Sequence, residues 1–454
     1  MSTFFDAGDS TVISDESDLY SYFHKFAKCE DGRRVGLEAE FLGVRRETGK
    51  ALSYEGRGGI HEVLGSLSDL CGYEPITEDQ RIIALKKGAS FITLEPGGQI
   101  ELSAPPVKTI FEVKSLLDQF LSDLREIQKR YPEIAFLAFG IQPFSQVEEI
   151  SWVPKKRYRI MADYLGRKGE LAHSMMKLTA TNQLNFDYTS ERHAMDSLRT
   201  VLALTPLVSA LFANSSFSGG RPNGYMSFRQ QIWRETDPER TGIPEIFLRR
   251  GAVFGDYMEY VLGLPVMFVV RERDWIDMEG LTFRQFIQQG FRGMRPNLGD
   301  FELHLSTAFP EARLKQYLEI RGIDGQSPEM IPALAALWKG ILYDDETSAE
   351  AFALVGDASP QDFKRLWESL PVKAMEAEFV GRPLWFFAEK LVRLACRSLG
   401  RQITPEESRS ECLFLSHLEE TLLKPRKVPA QAFLDYLALQ PRVDPSSVIR
   451  YLGI

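Results

Sequence analysis

The sequence is poor in cysteine and histidine, the residues that build disulfide frameworks and zinc sites. Its 454 residues include four cysteines and six histidines. No CxxC or HExxH motif occurs, and the histidines are not clustered. We therefore expect neither a zinc site nor a disulfide framework, and the cysteine usage is typical of a reducing cytosol. The sequence predicts a cytoplasmic protein.

Several motifs that identify common enzyme classes are also missing. There is no GxxxxGK[ST] loop, no GxGxxG after a predicted strand and no GxSxG. This argues against the usual P-loop, dinucleotide-binding and serine-hydrolase sites. The net charge is −9 and no long basic run occurs, so we expect no nucleic-acid partner.

Long hydrophobic runs are scarce as well. The most apolar run, residues 201–217, is short and interrupted by polar residues, so we expect no membrane-spanning segment. The first 22 residues are acidic and lack an apolar stretch, so no signal peptide is predicted.

What the sequence does contain is acidic or amide side chains at alternate positions of four probable strands. Side chains alternate between the two faces of a strand, so each segment has one apolar face and one face of oxygen atoms. Clustered carboxylate oxygens suit Mg²⁺, which often accompanies a phosphorylated ligand. The four segments are residues 36–41, 92–102, 181–187 and 317–321.

The first two segments supply four carboxylates. Glu38 and Glu40 share one strand face, and two acids at this spacing repel each other unless a cation lies between them. Glu95 and Glu101 flank the turn 96–98, whose Pro-Gly pair predicts a type II turn. The alternatives are an ordinary solvated strand face and a plain surface hairpin.

The other two segments combine amides, an acid and an arginine. Gln183 and Asn185 share a face and suit hydrogen bonding to a ligand or a metal. Glu319 and Arg321 also share a face, where an acid could bind metal beside an arginine that binds phosphate or carboxylate. A polar outer face and a surface salt bridge are the respective alternatives.

Residues 214–242 form a Gly-, Ser-, Asn- and Arg-rich stretch with little periodicity. Its arginines, including Arg229, suit an anionic substrate, and Trp233 favours an ordered loop. The alternative is a solvated loop whose arginines pair with neighbouring acids.

Strands and helices mix without regular βαβ alternation, which predicts an α+β fold with a largely antiparallel sheet. We divide the chain into a catalytic α+β region, 1–330, and a helical region, 331–454, with a single domain as the alternative. A polar lead and a short helix are expected in residues 1–30. Strands are expected at 33–44, 90–103, 134–141 and 179–188. Helices are expected at 60–72, 108–130, 191–213, 331–343, 361–369, 383–399, 408–422 and 429–438.

The sequence resembles glutamate–cysteine ligases of the plant and proteobacterial type. The matching stretches are ordered and fall between residues 33 and 345, with weaker similarity beyond. They include residues 77–86, 94–103, 154–161, 179–187, 210–215, 222–224, 229–242, 282–286, 309–315 and 321–325.

The resemblance implies a glutamine-synthetase-like fold whose curved antiparallel sheet forms a funnel. It implies ATP, Mg²⁺, L-glutamate and L-cysteine as ligands, and a monomer or homodimer. The implied reaction first transfers the ATP γ-phosphoryl group to the glutamate γ-carboxylate. The cysteine amine then displaces phosphate from γ-glutamyl phosphate, giving γ-glutamylcysteine, the first step of glutathione synthesis.

The resemblance also implies roles for individual residues. Arg321 would neutralise charge on the transferring phosphoryl group, and Arg229 would hold a substrate carboxylate beside Trp233. Gln183, Asn185, Arg157 and Tyr158 are candidates for substrate binding, and Lys155 for nucleotide binding. The implied Mg²⁺ ligands are Glu38, Glu40, Glu95, Glu101 and Glu319.

The chain departs from this family near the substrate. Ala180 replaces a cysteine that forms a redox-regulatory disulfide in relatives, and Gln230-Gln231 stands where Ser-His is common. Further departures are Leu178, Asn182, Ser216 and Gly219. Two alternatives therefore remain: a related ligase that uses another amine or acid, and a catalytically silent binding protein on the same fold.

Overall fold

The computed structural model describes residues 9–249, 251–272, 274–356, 358–403 and 409–454. Its strands are β1 (Val35–Arg45), β2 (Glu74–Glu78), β3 (Arg81–Lys87), β4 (Ser90–Leu94), β5 (Ile100–Ser103), β6 (Ile134–Leu137), β7 (Asn182–Phe186), β8 (Phe217–Ser218), β9 (Arg221–Pro222), β10 (Thr241–Gly242), β11 (Phe268–Arg271), β12 (Asp274–Asp277), β13 (Phe309–Pro310), β14 (Ala312–Leu314), β15 (Leu318–Ile320), β16 (Glu378–Phe379) and β17 (Arg382–Pro383). Its α-helices are α1 (Ile60–Cys71), α2 (Ile110–Arg130), α3 (Lys156–Leu165), α4 (Ala172–Leu178), α5 (Glu191–Leu211), α6 (Phe228–Arg234), α7 (Phe254–Gly263), α8 (Phe283–Gln289), α9 (Leu298–Ser306), α10 (Met330–Leu342), α11 (Asp345–Ala353), α12 (Pro360–Lys373), α13 (Leu384–Arg401), α14 (Cys412–Leu418), α15 (Pro429–Ala438) and α16 (Pro445–Leu452).

A nine-stranded sheet organises the fold, in the order β14-β15-β7-β1-β5-β4-β3-β2, with β6 paired to the far part of β1. The neighbouring strands are antiparallel. The α+β class and the antiparallel sheet predicted from the sequence are therefore confirmed.

The two faces of the sheet differ sharply in polarity. One face of β1 places Leu37, Ala39 and Phe41 in the main hydrophobic core. Helix α2 packs on this side of β1, and a capping box between Thr109 and Glu112 fixes where that helix begins. The opposite face of the sheet is left for polar side chains, as the alternation predicted.

The helical C-terminal part packs into the same core. All residues of α10 are buried, and core side chains on both sides of residue 330 belong to one hydrophobic cluster. The boundary near residue 330 stays a prediction. Helix α5 is long and apolar enough to cross a membrane, but 89% of its most apolar stretch is buried inside the protein.

The elements with strong periodicity agree with the sequence prediction to within a few residues. The lead forms three 3-10 turns, at Glu16–Leu19, Phe23–Phe26 and Glu30–Gly32, in place of the expected helix, and residues 1–8 lie outside the described part. The helix expected at 408–422 is α14 followed by a π-helical turn, Glu419–Leu423. Most missed elements are short: α3, α4, α6, α7, α8, α9, α11 and α16.

The turn between β4 and β5 differs from the expected type II turn. Gly98 donates its N–H to the Glu95 carbonyl at 2.9 Å, and the positive φ of 86° lies at Gly98 rather than Gly97. This is a type I turn followed by a left-handed residue. Gly97 is required for space instead, because a Cβ there would collide with the Lys177 carbonyl.

The expectation of no disulfide was wrong. Cys396 on α13 and Cys412 at the start of α14 form a disulfide, with their Cα atoms 4.8 Å apart. No spacing motif marks this pair, because the two residues meet only when α14 packs against α13.

Candidate active site

The strand register aligns the predicted acidic residues on the polar face of the sheet. Glu40 on β1 lies directly opposite Glu101 on β5, and Thr93 on β4 lies opposite Glu101 on the other side. Directly opposite residues project to the same face with their Cβ atoms about 5 Å apart. Thr93 and Ser103 both donate hydroxyl hydrogen bonds to Glu101 Oε1, at 2.6 Å each.

A second row of polar residues crosses β1, β7 and β15. Glu38 lies opposite Gln183, and Asn185 lies opposite Glu319. Arg321 follows directly after β15, and its Nη1 donates to Gln183 Oε1 at 2.6 Å. Asn185 Nδ2 donates to Glu38 Oε1 at 3.1 Å. Three of the four sequence segments thus contribute to one continuous polar surface, and the hairpin strands complete it.

A cleft with a cavity volume of about 140 Å³ lies over this surface. All but two of the residues singled out from the sequence line it: Glu38, Glu40, Glu95, Glu101, Arg157, Tyr158, Gln183, Arg229, Trp233, Glu319 and Arg321. Asn185 and Lys155 do not belong to the lining. Asn185 supports the lining residue Glu38, and Lys155 lies behind the β4–β5 turn.

Two of the carboxylates hold protons more tightly than an exposed glutamate. Burial, together with the charges of Glu95 and Glu101, raises the pKa of Glu40 well above its usual value. Burial and the charges of Glu38 and Glu95 raise the pKa of Glu101 to about 7. Both shifts come from carboxylates crowded away from water, and a bound cation would relieve them.

Glu319 has the opposite environment. Burial alone would raise its pKa, but the positive charges of Arg313, Lys315 and Arg321 hold the pKa well below its usual value. Arg313 Nε donates to Glu319 Oε2, and Lys315 Nζ lies 3.4 Å from Glu319 Oε1. Glu319 is therefore ionised and already surrounded by cationic groups.

Three guanidinium groups on the wall of the cleft have N–H donors that are buried and unpartnered. These are the Nε atoms of Arg157, Arg229 and Arg321. Arg229 and Arg321 both lie over the Trp233 ring, 5.4 and 5.8 Å from its centroid. Unused donors on charged groups inside a cleft favour an anionic ligand such as a carboxylate or a phosphate.

The segment that begins α3 holds the β4–β5 turn from behind. Lys155 Nζ donates to the Leu94 carbonyl at 2.8 Å, and Tyr158 Oη donates to the same carbonyl at 2.5 Å. Val153 donates its N–H to the Pro96 carbonyl. Since Leu94 directly precedes Glu95, these contacts fix the backbone that carries this carboxylate.

The carboxylates fit Mg²⁺ by their chemistry but are not arranged as a closed cation cage. Among the residues that the structure describes, no three acidic, histidine or cysteine side chains are close enough together to hold a metal ion. However, five carboxylates face one cleft, and two of them have pKa values raised by burial and by mutual repulsion. The set of side chains therefore suits a cation by its chemistry, since carboxylate oxygens are the ligands Mg²⁺ prefers.

Sequence reasoning assigned no role to Arg313 and Lys315, although both line the cleft. They alternate with Ala312 and Leu314, which are buried on the core side of β14. This alternation is a period-two signal, but β14 has only three residues and is too short to recognise. Other lining residues without a predicted role include Gln99, Thr179, Met161, Met175, Met176 and Phe268.

The stretch 214–242 contains four arginines, and Arg229 alone among them lines the cleft. Arg229 lies on α6, a helix that the sequence did not predict. Arg240 pairs with Asp237 at 3.2 Å, as the alternative interpretation expected, but both side chains are fully buried rather than solvated. Arg221 is exposed, and Arg234 donates to the Trp367 carbonyl.

A buried carboxylate surface opposed by guanidinium groups, on an antiparallel sheet, is chemically suited to anionic substrates. The chain belongs to the glutamate–cysteine ligase family 2 (GCS2), whose sequence model matches residues 34–441. This confirms the resemblance and identifies the chain as a member of an ATP-dependent ligase family.

The similar proteins agree with this assignment. The chain is 36% identical to the chloroplastic glutamate–cysteine ligase of Arabidopsis thaliana over 421 residues, which are 92% of this chain and 79% of the relative. It is 35% identical to the chloroplastic enzyme of Nicotiana tabacum over 423 residues, again 92% and 79%. A solved structure of a bifunctional glutathione synthetase from Pasteurella multocida has a similar fold, with a TM-score of 0.57 and 13% identity over 96% of this chain and 53% of that one.

Proposed function

We propose that this protein joins the γ-carboxylate of L-glutamate to the amine of L-cysteine at the expense of ATP. One observation supports it most strongly: in a chain of the glutamate–cysteine ligase family, carboxylates and unpartnered guanidinium donors face one cleft. ATP, glutamate and cysteine are the substrates, and Mg²⁺ is the cofactor.

The chemistry requires two displacements. A γ-carboxylate oxygen of glutamate attacks the γ-phosphorus of ATP, the bond to the β,γ-bridging oxygen breaks, and ADP leaves. The cysteine amine then attacks the acyl carbon, the bond to the phosphate oxygen breaks, and the amine loses a proton. Positioning and charge neutralisation dominate such phosphoryl transfers.

The residues of the cleft fit these needs. Glu38, Glu40, Glu95, Glu101 and Glu319 would hold Mg²⁺, which supplies charge neutralisation for the phosphates when bound. Arg321 would neutralise charge on the transferring phosphoryl group, and Arg229 would hold a substrate carboxylate with Trp233 beside it. Arg157, Tyr158 and Gln183 would bind substrate on the remaining wall, with Asn185 supporting Glu38.

Mass spectrometry of the product tests the proposal. We expect purified protein with ATP, Mg²⁺, glutamate and cysteine to release phosphate and form γ-glutamylcysteine. Glu40→Gln and Glu319→Gln should each reduce turnover by about a hundredfold or more while the fold is kept. Glu74→Gln, on the exposed side of edge strand β2, is the matched control and should retain full activity. Normal turnover in Glu40→Gln or Glu319→Gln would refute the metal assignment.

A second candidate is a ligase of the same class with a different acceptor amine. Gln230 supports it, because this residue is buried beside Arg229 where relatives commonly carry serine. A panel of amines in the same assay decides between the two, since a strong preference for cysteine removes this candidate. A third candidate is a catalytically silent binding protein on the same fold, and failure of Mg²⁺-ATP to raise the melting temperature would favour it.

Two further proposals rest on the sequence alone: a cytoplasmic location, and a monomeric or homodimeric state. Cell fractionation tests the first, and light scattering of the purified protein tests the second.

A further inference from the structure

The chain leaves the regular sheet immediately after β15, and side-chain hydrogen bonds fix the backbone of the segment that follows. Residues 321–323 follow the last strand residue, Ile320, without strand pairing, and Asp324 then forms an isolated antiparallel bridge with Thr181. Buried backbone groups need partners, and outside a sheet those partners must come from side chains or water. This segment carries Arg321, one of the two guanidinium groups over Trp233.

The carbonyl of Arg321 and the carbonyl of Ile323 are held by Arg229 and Thr181. Arg229 Nη2 donates to the Arg321 carbonyl at 2.9 Å, and Thr181 Oγ1 donates to the Ile323 carbonyl at 2.5 Å. The backbone of one arginine is thus anchored by the side chain of the other.

The carbonyl between them, that of Gly322, is held by Gln230 and Ser209. Gln230 Nε2 and Ser209 Oγ each donate to this oxygen at 2.7 Å. Gln230 is only 2% exposed and follows Arg229 directly on α6. Two consecutive side chains of α6, Arg229 and Gln230, therefore donate hydrogen bonds to two consecutive carbonyls, those of residues 321 and 322.

The hydrogen bonds to the Gly322 carbonyl matter because this residue is a glycine in a crowded position. A Cβ at this position would collide with the Glu311 carboxylate and with Thr205, so glycine is required there for space. Glycine has the largest range of backbone conformations, and its carbonyl takes its position from the groups that hold it. Gln230 Nε2 also lies 3.5 Å from Glu311 Oε2, on the same side.

We propose that Gln230 is a positioning residue: through the Gly322 carbonyl it sets the placement of Arg321 relative to Arg229. The inference rests on the proposed function, in which these two guanidinium groups bind the anionic parts of the substrates. Gln230 itself does not line the cleft, so its effect is indirect.

Gln230→Met removes the donor while keeping the length of the side chain. Because Ser209 still donates to the Gly322 carbonyl, we expect the variant to fold. A displacement on the order of 1 Å can cost a reaction about a hundredfold, so kcat/KM for glutamate should fall about tenfold to a hundredfold. KM for glutamate should rise because Arg229, which is bonded to the Arg321 carbonyl, would hold the glutamate carboxylate. The value of kcat should fall because Arg321 would act on the transferring phosphoryl group, and KM for ATP should be nearly unchanged.

Gln231→Met is the matched control. Gln231 is the next residue on α6, but its amide pairs with Glu235 at the surface. The same chemical change there should leave both KM values unchanged. Equal KM values for glutamate in the two variants would overturn the proposal.

Ser209→Ala removes the other donor to the Gly322 carbonyl and serves if Gln230→Met does not fold. Alone it should raise KM for glutamate in the same direction, and an unchanged KM would count against the proposal. Together the two substitutions should lose more than the product of the single losses, because they share one acceptor. Simple multiplication of the two losses would contradict a shared role.

A spectroscopic readout separates this proposal from the proposed function. Arg229 and Arg321 both lie over Trp233, so a shift of either changes the fluorescence of that ring. The contribution of Trp233 is the difference in fluorescence between each protein and the same protein carrying Trp233→Phe. Gln230→Met should alter it and Gln231→Met should not, even if the wild type forms no γ-glutamyl product. An unchanged Trp233 contribution in Gln230→Met would overturn the proposal.

Discussion

At the scale of single residues, the site depends on carboxylates that the fold forces together. Glu40 and Glu101 face each other across two paired strands and are almost fully buried. Without a cation, ionisation of these buried, neighbouring carboxylates is unfavourable, and their raised pKa values reflect this. A cation converts the same arrangement into a binding site, so stability and cation binding should respond to pH together.

We expect Glu101→Gln to stabilise the protein at pH 8 and to have little effect at pH 5. The folded pKa is about 7, above the value of about 4.3 in an unfolded chain. Between these pKa values the folded state binds a proton that the unfolded state has lost. The free energy of unfolding therefore falls as pH rises through this window, by at most about 4 kcal/mol. Melting curves across pH check the effect.

Glu101→Gln should also reduce the increase in melting temperature that Mg²⁺-ATP causes. For the wild type, the increase in melting temperature should be larger at pH 8 than at pH 6, because the cation replaces a bound proton. Glu74→Gln should behave as the wild type at both pH values. A pH-independent increase in the wild type would contradict the proton displacement.

Lys155 provides a second test at this scale. Burial and the charge of Arg157 lower its pKa to about 7, and its amine holds the Leu94 carbonyl rather than lining the cleft. Lys155→Met should therefore raise the Mg²⁺ concentration needed for half-maximal activity, because Glu95 loses part of its support. If Lys155 contacts nucleotide, as the sequence predicted, KM for ATP should rise at saturating Mg²⁺ instead. Lys156→Met, at the exposed neighbouring position, is the control.

At the scale of elements, the disulfide ties the C-terminal helices α13 and α14 to each other. Cys412 follows Glu411, whose carboxylate accepts a hydrogen bond from the Ile110 N–H at the start of α2 and pairs with Lys339 of α10 at 2.7 Å. The bond between Cys396 and Cys412 therefore helps to hold the residue that links three helices.

Reducing this disulfide should lower the melting temperature. The cysteines are 16 residues apart, and closing a loop of that size contributes about 3 kcal/mol in the chain-entropy account. The wild type in dithiothreitol should match the double variant Cys396→Ser, Cys412→Ser, which should not respond to the reductant. Cys29→Ser, at an exposed free cysteine, should change neither result.

At the scale of the whole molecule, the C-terminal helices complete the core. Every residue of α10 is buried, so a chain ending at residue 330 would expose this part of the core to water. We expect residues 1–330 alone to be insoluble or to lack a cooperative melting transition, as measured by circular dichroism. Cooperative unfolding of that fragment would instead support the boundary predicted from the sequence.

The sequence predicted those features that depend on local pattern. The alternation around Glu38 and Glu40 identified β1 and its polar face, and the long amphipathic pattern identified α2. It could not show which residues lie opposite one another, because the pairing of Glu40 with Glu101 depends on register between distant strands. The same limit applies to the Cys396–Cys412 bond and to α6, whose seven residues are too few for a clear period.

The antiparallel register has a consequence for how variants of this protein should be interpreted. Since side chains alternate, sliding β1 by one residue would turn Leu37 and Ala39 toward the cleft and bury the glutamates in the core. Such a slip is costly enough that the misaligned chain should not persist as a folded protein. Purification by solubility therefore also selects for the correct placement of the carboxylates, and a soluble but inactive variant points to a fault in side chains rather than in strand alignment.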